Sequence, residues 1–160
     1  MGEFERPALP SVSRRRSYIS ALGGGSWAET VQAAPDGVID MLFAADNAAD
    51  RGFDRFTING VAFSMEKMEP MFRLRLGKRY RLRMRNATDD IHPMHLHRHS
   101  FELTRIAGEP TTGVIKDVAM LGSYQEMEID FTADQPGLSL FHCHMQMHMD
   151  FGLMALFETV

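Results

Sequence analysis

The chain has 160 residues, of which 44% are apolar and 24% charged, and its formal net charge at pH 7 is −4. This composition is typical of one globular domain of ordinary size. The negative net charge argues against a nucleic acid as partner, and no apolar run is long enough to span a membrane.

The first 37 residues are rich in Arg, Gly, Pro, Ser and Ala and show no hydrophobic period, so we interpret them as a linker or tail. Arg14-Arg15-Arg16-Ser17-Tyr18-Ile19 loosely resembles a twin-arginine export signal, and Val31-Gln32-Ala33-Ala34 resembles a cleavage site. The stretch between these two motifs contains three consecutive glycines and Glu29, so it lacks the apolar character of a signal peptide. This favours an interdomain linker. An export signal would make the protein soluble and periplasmic or secreted.

Residues 38–160 show short hydrophobic alternations separated by turn residues, a pattern typical of short strands. Residues 46–55 are expected to form a polar loop, and Asn59-Gly60 predicts a tight turn. About eight strands in roughly 120 residues predict an all-β Greek-key sandwich or barrel, with a short turn or helix after the penultimate strand. The predicted strand segments are 38–43, 56–58, 71–76, 79–85, 100–106, 114–121, 125–131, 138–143 and 152–158.

Basic residues are concentrated in one short stretch, residues 73–85, where no acidic residue occurs. Segments 71–76 and 79–85 alternate apolar and basic side chains, so we expect two adjacent strands with their basic side chains on one face of a sheet. A solvated sheet face is the simpler interpretation, and a docking surface for an acidic neighbour is the alternative. The basic residues are Arg73, Arg75, Lys78, Arg79, Arg81, Arg83 and Arg85.

All seven histidines fall in two short windows, and the only cysteine lies in the second. An isolated histidine is more often a core or surface residue than a ligand, but two dense clusters favour metal binding. One thiolate together with imidazoles is a ligand set suited to copper. The windows are His92-Pro93-Met94-His95-Leu96-His97-Arg98-His99-Ser100-Phe101 and Phe141-His142-Cys143-His144-Met145-Gln146-Met147-His148.

Strand geometry divides these side chains between two faces, because neighbouring residues on a strand point to opposite sides. His142 and His144 share one face, and Cys143 occupies the other. His95 and His97 likewise share a face of an extended segment. The four imidazoles can therefore converge on one side.

A second site is expected on the face of Cys143. His92 has the opposite parity to His95, and Pro93 holds it extended, so its imidazole can point with the thiol. His148 can close this site from the turn that follows the strand. Two histidines and a thiolate in a trigonal arrangement, with a weak axial position, describe a blue-copper centre.

We assign the axial position of that centre to Leu153, which lies ten residues after the cysteine. Leucine cannot ligate a metal, and the loss of an axial donor favours Cu(I) and a higher reduction potential. Met154 is the alternative, but the alternation of the strand should turn its side chain away.

Both windows resemble the copper motifs of the multicopper oxidases, the laccase-like family. His92 to Phe101 is similar to that family's His-Pro-x-His-Leu-His-Gly-His-x-Phe motif, and His142 to Leu153 is similar to its His-Cys-His-x3-His-x3-Gly-Leu/Met signature. The resemblance covers about residues 38–160 and implies the C-terminal cupredoxin domain of the family, with residues 1–37 outside it.

The resemblance also implies a role for each motif residue and copper as the cofactor. The type 1 copper would accept electrons from a small reducing substrate, a phenol or a metal ion, and the type 2 and type 3 coppers would reduce dioxygen to water. His92, Cys143 and His148 are the implied catalytic type 1 ligands, His95 the type 2 ligand, and His97, His142 and His144 the type 3 ligands.

Two neighbouring residues complete the comparison with the family motif. Arg98 stands where the family has glycine, which puts the local backbone conformation in question rather than metal binding. His99 matches a position that is not a ligand, and we expect it to make hydrogen bonds behind the ligands.

The chain carries only four of the eight imidazoles that the family's trinuclear cluster uses, the others coming from two His-x-His motifs in an N-terminal cupredoxin domain. Our first hypothesis is an oxidase domain that needs that domain or another subunit as partner. A second is a two-fold dimer whose copies together supply eight imidazoles. A third is a single-copper electron carrier or copper-storage protein, in which methionines capture Cu(I); core packing is the simpler role for these methionines. They are Met65, Met68, Met71, Met145, Met147 and Met149.

Overall fold

The structure is a computed structural model that describes residues 34–160. The linker or export signal predicted over residues 1–37 lies almost entirely outside the described residues. The described part contains eleven strands and one short helix. They are β1 (Gly37–Asp50), β2 (Phe53–Ile58), β3 (Phe72–Leu74), β4 (Arg79–Asn86), β5 (His92–Leu96), β6 (Phe101–Ile106), β7 (Glu109–Lys116), β8 (Val118–Leu121), β9 (Glu126–Thr132), β10 (Gly137–Cys143), α1 (Gln146–Asp150) and β11 (Met154–Thr159).

The strands form two mixed sheets, and the hydrophobic core lies between them. The six-stranded sheet has the order β2-β1-β4-β9-β6-β7, and the five-stranded sheet has the order β3-β11-β10-β5-β8. Large side chains from both sheets are fully buried between them, among them Phe43, Leu82, Phe141 and Phe157. The all-β, cupredoxin-like sandwich predicted from the sequence is confirmed, as is the short helix after the cysteine strand.

The polar loop predicted over residues 46–55 is wrong. β1 continues to Asp50 and β2 begins at Phe53, so that these residues form a hairpin. Pairing between the two backbones satisfies their N–H and C=O groups whatever the polarity of the side chains. The turn uses Arg51 and Gly52, both with positive φ. By contrast, the predicted turn at Asn59-Gly60 is confirmed by positive φ at both residues and a bridge across it.

The prediction that the two basic segments form adjacent strands is also wrong. β3 is shorter than predicted and pairs with β11 in the five-stranded sheet, whereas β4 lies between β1 and β9 in the other sheet. Three of the four arginines of β4 stand opposite acidic residues of β9, with Arg81 across from Asp130. Arg81 Nε lies 2.6 Å from Asp130 Oδ1, and Arg83 Nε lies 2.6 Å from Asp40 Oδ1. Arg81 and Arg83 are therefore paired with carboxylates of the chain's own strands, which favours the simpler interpretation of a solvated sheet face.

The single strand predicted over residues 114–121 is in fact two strands in different sheets. β7 pairs with β6 in the six-stranded sheet, and β8 pairs with β5 in the five-stranded sheet. The chain crosses between the sheets at Asp117. β7 pairs with the edge of one sheet and β8 with the edge of the other. The chain therefore has to cross between the sheets for both segments to be paired. The crossing places β8 beside the first histidine window.

Candidate metal centre

Antiparallel pairing of β5 with β10 brings the two histidine windows together. His95 lies directly opposite His142, and Met94 lies opposite Cys143. Residues that face each other across two strands point to the same side of a sheet. His92 shares the parity of Met94, so its imidazole lies on the core side with the thiol. The register therefore places the candidate ligands on the two faces that the sequence predicted.

On the core side, three buried side chains converge. His92, Cys143 and His148 are 0%, 0% and 6% exposed. The two imidazole Nδ1 atoms are 3.0 Å apart, and Cys143 Sγ lies 3.8 Å from His92 Nδ1 and 3.7 Å from His148 Nδ1. The centre of this triangle lies about 2 Å from all three atoms, close to typical metal–nitrogen and metal–sulfur bond lengths. These three atoms therefore fit a trigonal metal site.

The helix α1 supplies the third of these side chains. It has five residues and begins three residues after the cysteine, so His148 returns toward the end of β10. The ring of Phe56 lies 4.3 Å from the His148 ring and 5.7 Å from the His92 ring. A hydrogen bond from Leu153 N–H to His148 O closes the turn into β11. Aromatic packing and the helix together hold this imidazole in place.

Burial controls the protonation of this site. It lowers the pKa of His92 to about 4, with a further contribution from His148, and it also lowers the pKa of His148. It raises the pKa of the Cys143 thiol to about 11. At pH 7 both imidazoles are neutral and ready to bind a metal, while the thiol keeps its proton. A metal would have to displace that proton, as is usual for thiolate sites.

Apolar side chains of the core pack beside the site. Phe43 packs edge-on against the His92 ring, and Leu153 is fully buried in the same core. Met154 lies opposite His142 across the β10–β11 pair, so its side chain points to the other face of the sheet. This agrees with the expectation that Met154 is turned away from the thiol.

On the outer face of the same strands, four imidazoles form a second cluster. His97 Nε2 lies 2.9 Å from His142 Nε2. The His95 ring lies 4.7 Å from the His97 ring and 5.2 Å from the His144 ring. Burial and the neighbouring imidazoles lower the pKa of His97, and burial likewise lowers that of His142. These side chains are therefore neutral at pH 7 and can act as ligands.

Backbone carbonyl groups orient two of the outer imidazoles. His95 Nδ1 lies 2.7 Å from the carbonyl oxygen of Asp117, and His142 Nδ1 lies 2.8 Å from that of Cys143. Because a carbonyl only accepts, each Nδ1 must carry the proton. Each Nε2 then keeps its lone pair available to a metal. Only the crossing from β7 to β8 places the Asp117 carbonyl group where it can do this.

The residues that depart from or flank the motif have clear structural roles. Arg98 adopts a positive φ of 66°, a conformation that glycine adopts more readily, and its guanidinium donates hydrogen bonds to the carbonyl groups of Pro136 and Leu138. His99 is buried, and its Nδ1 lies 3.0 Å from the carbonyl oxygen of His97. The departure at Arg98 thus concerns the backbone, as expected.

Sequence reasoning missed two polar residues that contact the inner imidazoles and a third that holds one of those two. Thr88 Oγ1 lies 2.8 Å from His92 Nε2, and Asn86 Oδ1 lies 2.8 Å from Thr88 Oγ1. Asp90 Oδ2 lies 3.6 Å from His148 Nε2. Their only signal in the sequence is a polar segment between two strands, which is also what an ordinary loop looks like.

Of the six methionines considered for Cu(I) capture, Met149 is half-buried on α1, and the other five fall into two groups. Met71 packs against the core, in agreement with the simpler interpretation. Met65, Met68, Met145 and Met147 are exposed, with the last two on either side of the start of α1.

Among residues 34–160, no helix has the length and hydrophobicity needed to cross a lipid bilayer.

Comparison with known proteins agrees with the geometry. Residues 45–160 match the family model described as multicopper oxidase. The chain is 37% identical over 98 residues to multicopper oxidase MmcO of Mycobacterium tuberculosis, and this match covers 61% of the chain and 18% of that protein. It is 36% identical over 78 residues to laccase-4 of Trametes villosa, which covers 46% of this chain and 15% of the laccase.

A solved structure shows the same fold. A multicopper oxidase from Campylobacter jejuni superposes with a TM-score of 0.67 at 20% identity, covering 80% of this chain and 31% of that one. The chain thus spans less than a fifth of the length of the two relatives and about a third of this structure. From the two metal motifs and the match of residues 45–160 to the family model, this chain belongs to the multicopper oxidase family.

Proposed function

We propose that this chain is the electron-accepting copper domain of a laccase-like oxidase. In this proposal His92, Cys143 and His148 hold a type 1 copper, with Leu153 at its axial position. Copper, the cofactor of the family, supplies one-electron redox chemistry when bound there. The observation that carries the proposal is the position of Cys143: its thiol lies on the inner face, while the two residues bonded to it face the outer cluster.

The chain's own residues prepare both ends of this path. The buried inner site excludes water from the thiol, and the neutral imidazoles present lone pairs to a metal. Electrons from a reducing substrate would enter at the edge of His148, which lies beside the half-exposed Asp90. They would leave through Cys143 and the adjoining His142 and His144, a path of covalent bonds.

The outer cluster supports the second part of the proposal, reduction of dioxygen to water with a partner. His97 and His142 are close enough to bind one metal ion together, whereas His95 and His144 would each contribute one nitrogen ligand to a metal. An N-terminal cupredoxin domain or another subunit would supply the remaining ligands. A small phenol or a metal ion is the proposed reducing substrate, and a secreted or periplasmic protein is the proposed setting.

Copper stoichiometry and spectra, measured at a known oligomeric state, test this proposal. The purified monomer should show an intense thiolate-to-copper absorption band and no sustained four-electron reduction of dioxygen. Cys143→Ser should abolish the band, while His97→Ala should leave it intact. Sustained dioxygen reduction by the monomer would refute the need for a partner. Three coppers at the interface of a dimer would instead establish the self-assembled form.

A single-copper electron carrier or storage protein is the second candidate. It is favoured by the exposed thioethers of Met145 and Met147 next to α1, since such soft ligands bind Cu(I). Oxygen consumption with a phenolic or cuprous donor, measured with a complementary N-terminal cupredoxin domain present, separates the two candidates. No consumption together with an intact blue band would favour the carrier.

A further inference from the structure

A chain of buried polar side chains lies behind the inner metal site. Asn86 and Thr88 are 1% and 4% exposed, and they connect to the fully buried His92. Asn86 Nδ2 lies 2.7 Å from the carbonyl oxygen of Asp90 and 3.0 Å from that of Gly122. A carbonyl group only accepts hydrogen bonds, so both contacts require the amide nitrogen at this position. The orientation of the Asn86 amide is therefore fixed.

The fixed amide determines the direction of the remaining hydrogen bonds. Asn86 Oδ1 accepts a bond from the Thr88 backbone N–H at 2.9 Å and lies 2.8 Å from Thr88 Oγ1. An amide oxygen cannot donate, so the hydroxyl donates its single proton to Asn86. The hydroxyl oxygen is then an acceptor for His92 Nε2 at 2.8 Å. His92 must carry its proton on Nε2.

We propose that Asn86 and Thr88 are positioning residues that hold His92 as the Nε2–H tautomer, with the lone pair of Nδ1 directed toward Cys143 and His148. This inference rests on the proposed function, in which that nitrogen binds copper. A proton on Nδ1 would occupy the place of the metal. The acceptor on Nε2–H also makes Nδ1 more basic, which strengthens its bond to a metal and favours Cu(II) over Cu(I).

Nitrogen-15 NMR of the metal-free protein tests the tautomer directly. In the wild-type chain at pH 7, His92 should show a protonated Nε2 and an unprotonated Nδ1. Thr88→Val removes the acceptor with little change of shape, and the Nδ1–H tautomer should then appear. Thr88→Ser keeps the hydroxyl and should retain the wild-type tautomer. The wild-type measurement needs no variant, so it decides the matter even if Thr88→Val does not fold.

Copper titration supplies the second measurement. Thr88→Val should weaken copper binding by about 10- to 100-fold, the usual cost of losing a partner behind a metal ligand, and raise the reduction potential. The matched control is Thr159→Val, a buried threonine of β11 whose hydroxyl has no hydrogen-bond partner among residues 34–160. It should bind copper as the wild type does.

The outcomes separate this inference from the proposed function. A wild-type His92 protonated on Nδ1, or a Thr88→Val protein with unchanged tautomer and affinity, would overturn the inference. A wild-type protein that binds copper without a thiolate-to-copper band would instead refute the proposed function, while the NMR result would still decide the tautomer. Equal losses of affinity in Thr88→Val and Thr159→Val would show a general packing effect and overturn the inference.

Discussion

Gly152 lies at the junction of α1 and β11, where the backbone both passes close to β2 and adopts an unusual conformation. Its φ is +113°, and a Cβ atom added there would lie 2.5 Å from the carbonyl oxygen of Phe56 and 2.9 Å from Ala62 Cβ. The first of these atoms belongs to the backbone, so it cannot rotate away. The glycine of the family signature therefore has a physical reason in this chain: only a residue without a side chain fits.

The Gly152→Ala substitution should incur two costs. A residue with a Cβ atom held in so sparsely populated a conformation costs about 1–3 kcal/mol. Forcing an extra carbon into a packed interior adds about 1–3 kcal/mol. We expect the free energy of unfolding to fall by about 4 kcal/mol in total. Because Phe56 would have to move, and its ring packs on His148, the absorption of the copper centre should change as well.

Urea unfolding of the metal-free protein, followed by circular dichroism, measures the first effect. Gly108→Ala is the matched control, since Gly108 has a φ of +84° but no atom within 4 Å of an added Cβ. It should cost only about 1 kcal/mol, from backbone conformation alone. If the two variants lose the same stability, close packing against β2 does not explain the requirement for glycine at Gly152.

Two further predictions concern charge. Acidification from pH 7 to 4.5 should destabilise the metal-free protein by about 2 kcal/mol in urea unfolding, because the pKa of His92 is lowered to about 4 and the unfolded chain binds a proton near pH 6.5 that the folded chain does not. His92→Leu should reduce this pH dependence, and an unchanged slope would contradict the effect of burial. Asp130→Asn should cost about 3 kcal/mol, because its fully buried carboxylate accepts hydrogen bonds from two arginines of β4. Glu126→Gln, at a side chain that is 65% exposed, should change stability by less than about 1 kcal/mol, and equal effects would contradict the argument.

Local patterns in the sequence were enough to predict most strands and the division of the candidate metal ligands between two faces. The alternation in His142-Cys143-His144 requires the thiol and the imidazoles to face opposite ways in any extended strand. The proline after His92 and its spacing from His95 similarly separate the two sites. These inferences hold because they depend only on the geometry of neighbouring residues, which tertiary structure does not change.

Pairing partners could not be predicted in the same way. Alternation in β3 and β4 indicates which side chains share a face, but not which sheet each strand joins, and the two strands lie in different sheets. The acidic partner of Arg79 and Arg81 lies about fifty residues later in the chain, on β9, and that of Arg83 lies on β1. The change of sheet between β7 and β8 likewise depends on which edges are open, a property of the assembled domain.

The sequence by itself thus determined the fold class, the family and the candidate ligands of the two sites, because each depends on residue type and close spacing. Only the tertiary structure decided how the imidazoles are held. The carbonyl group of Asp117, in the crossing between β7 and β8, lies against His95. The Thr88 hydroxyl, itself held by the buried Asn86 amide, lies against His92. A hydrogen bond depends on distance and direction in three dimensions, so a polar residue between strands acquires such a role only when the two sheets have packed together.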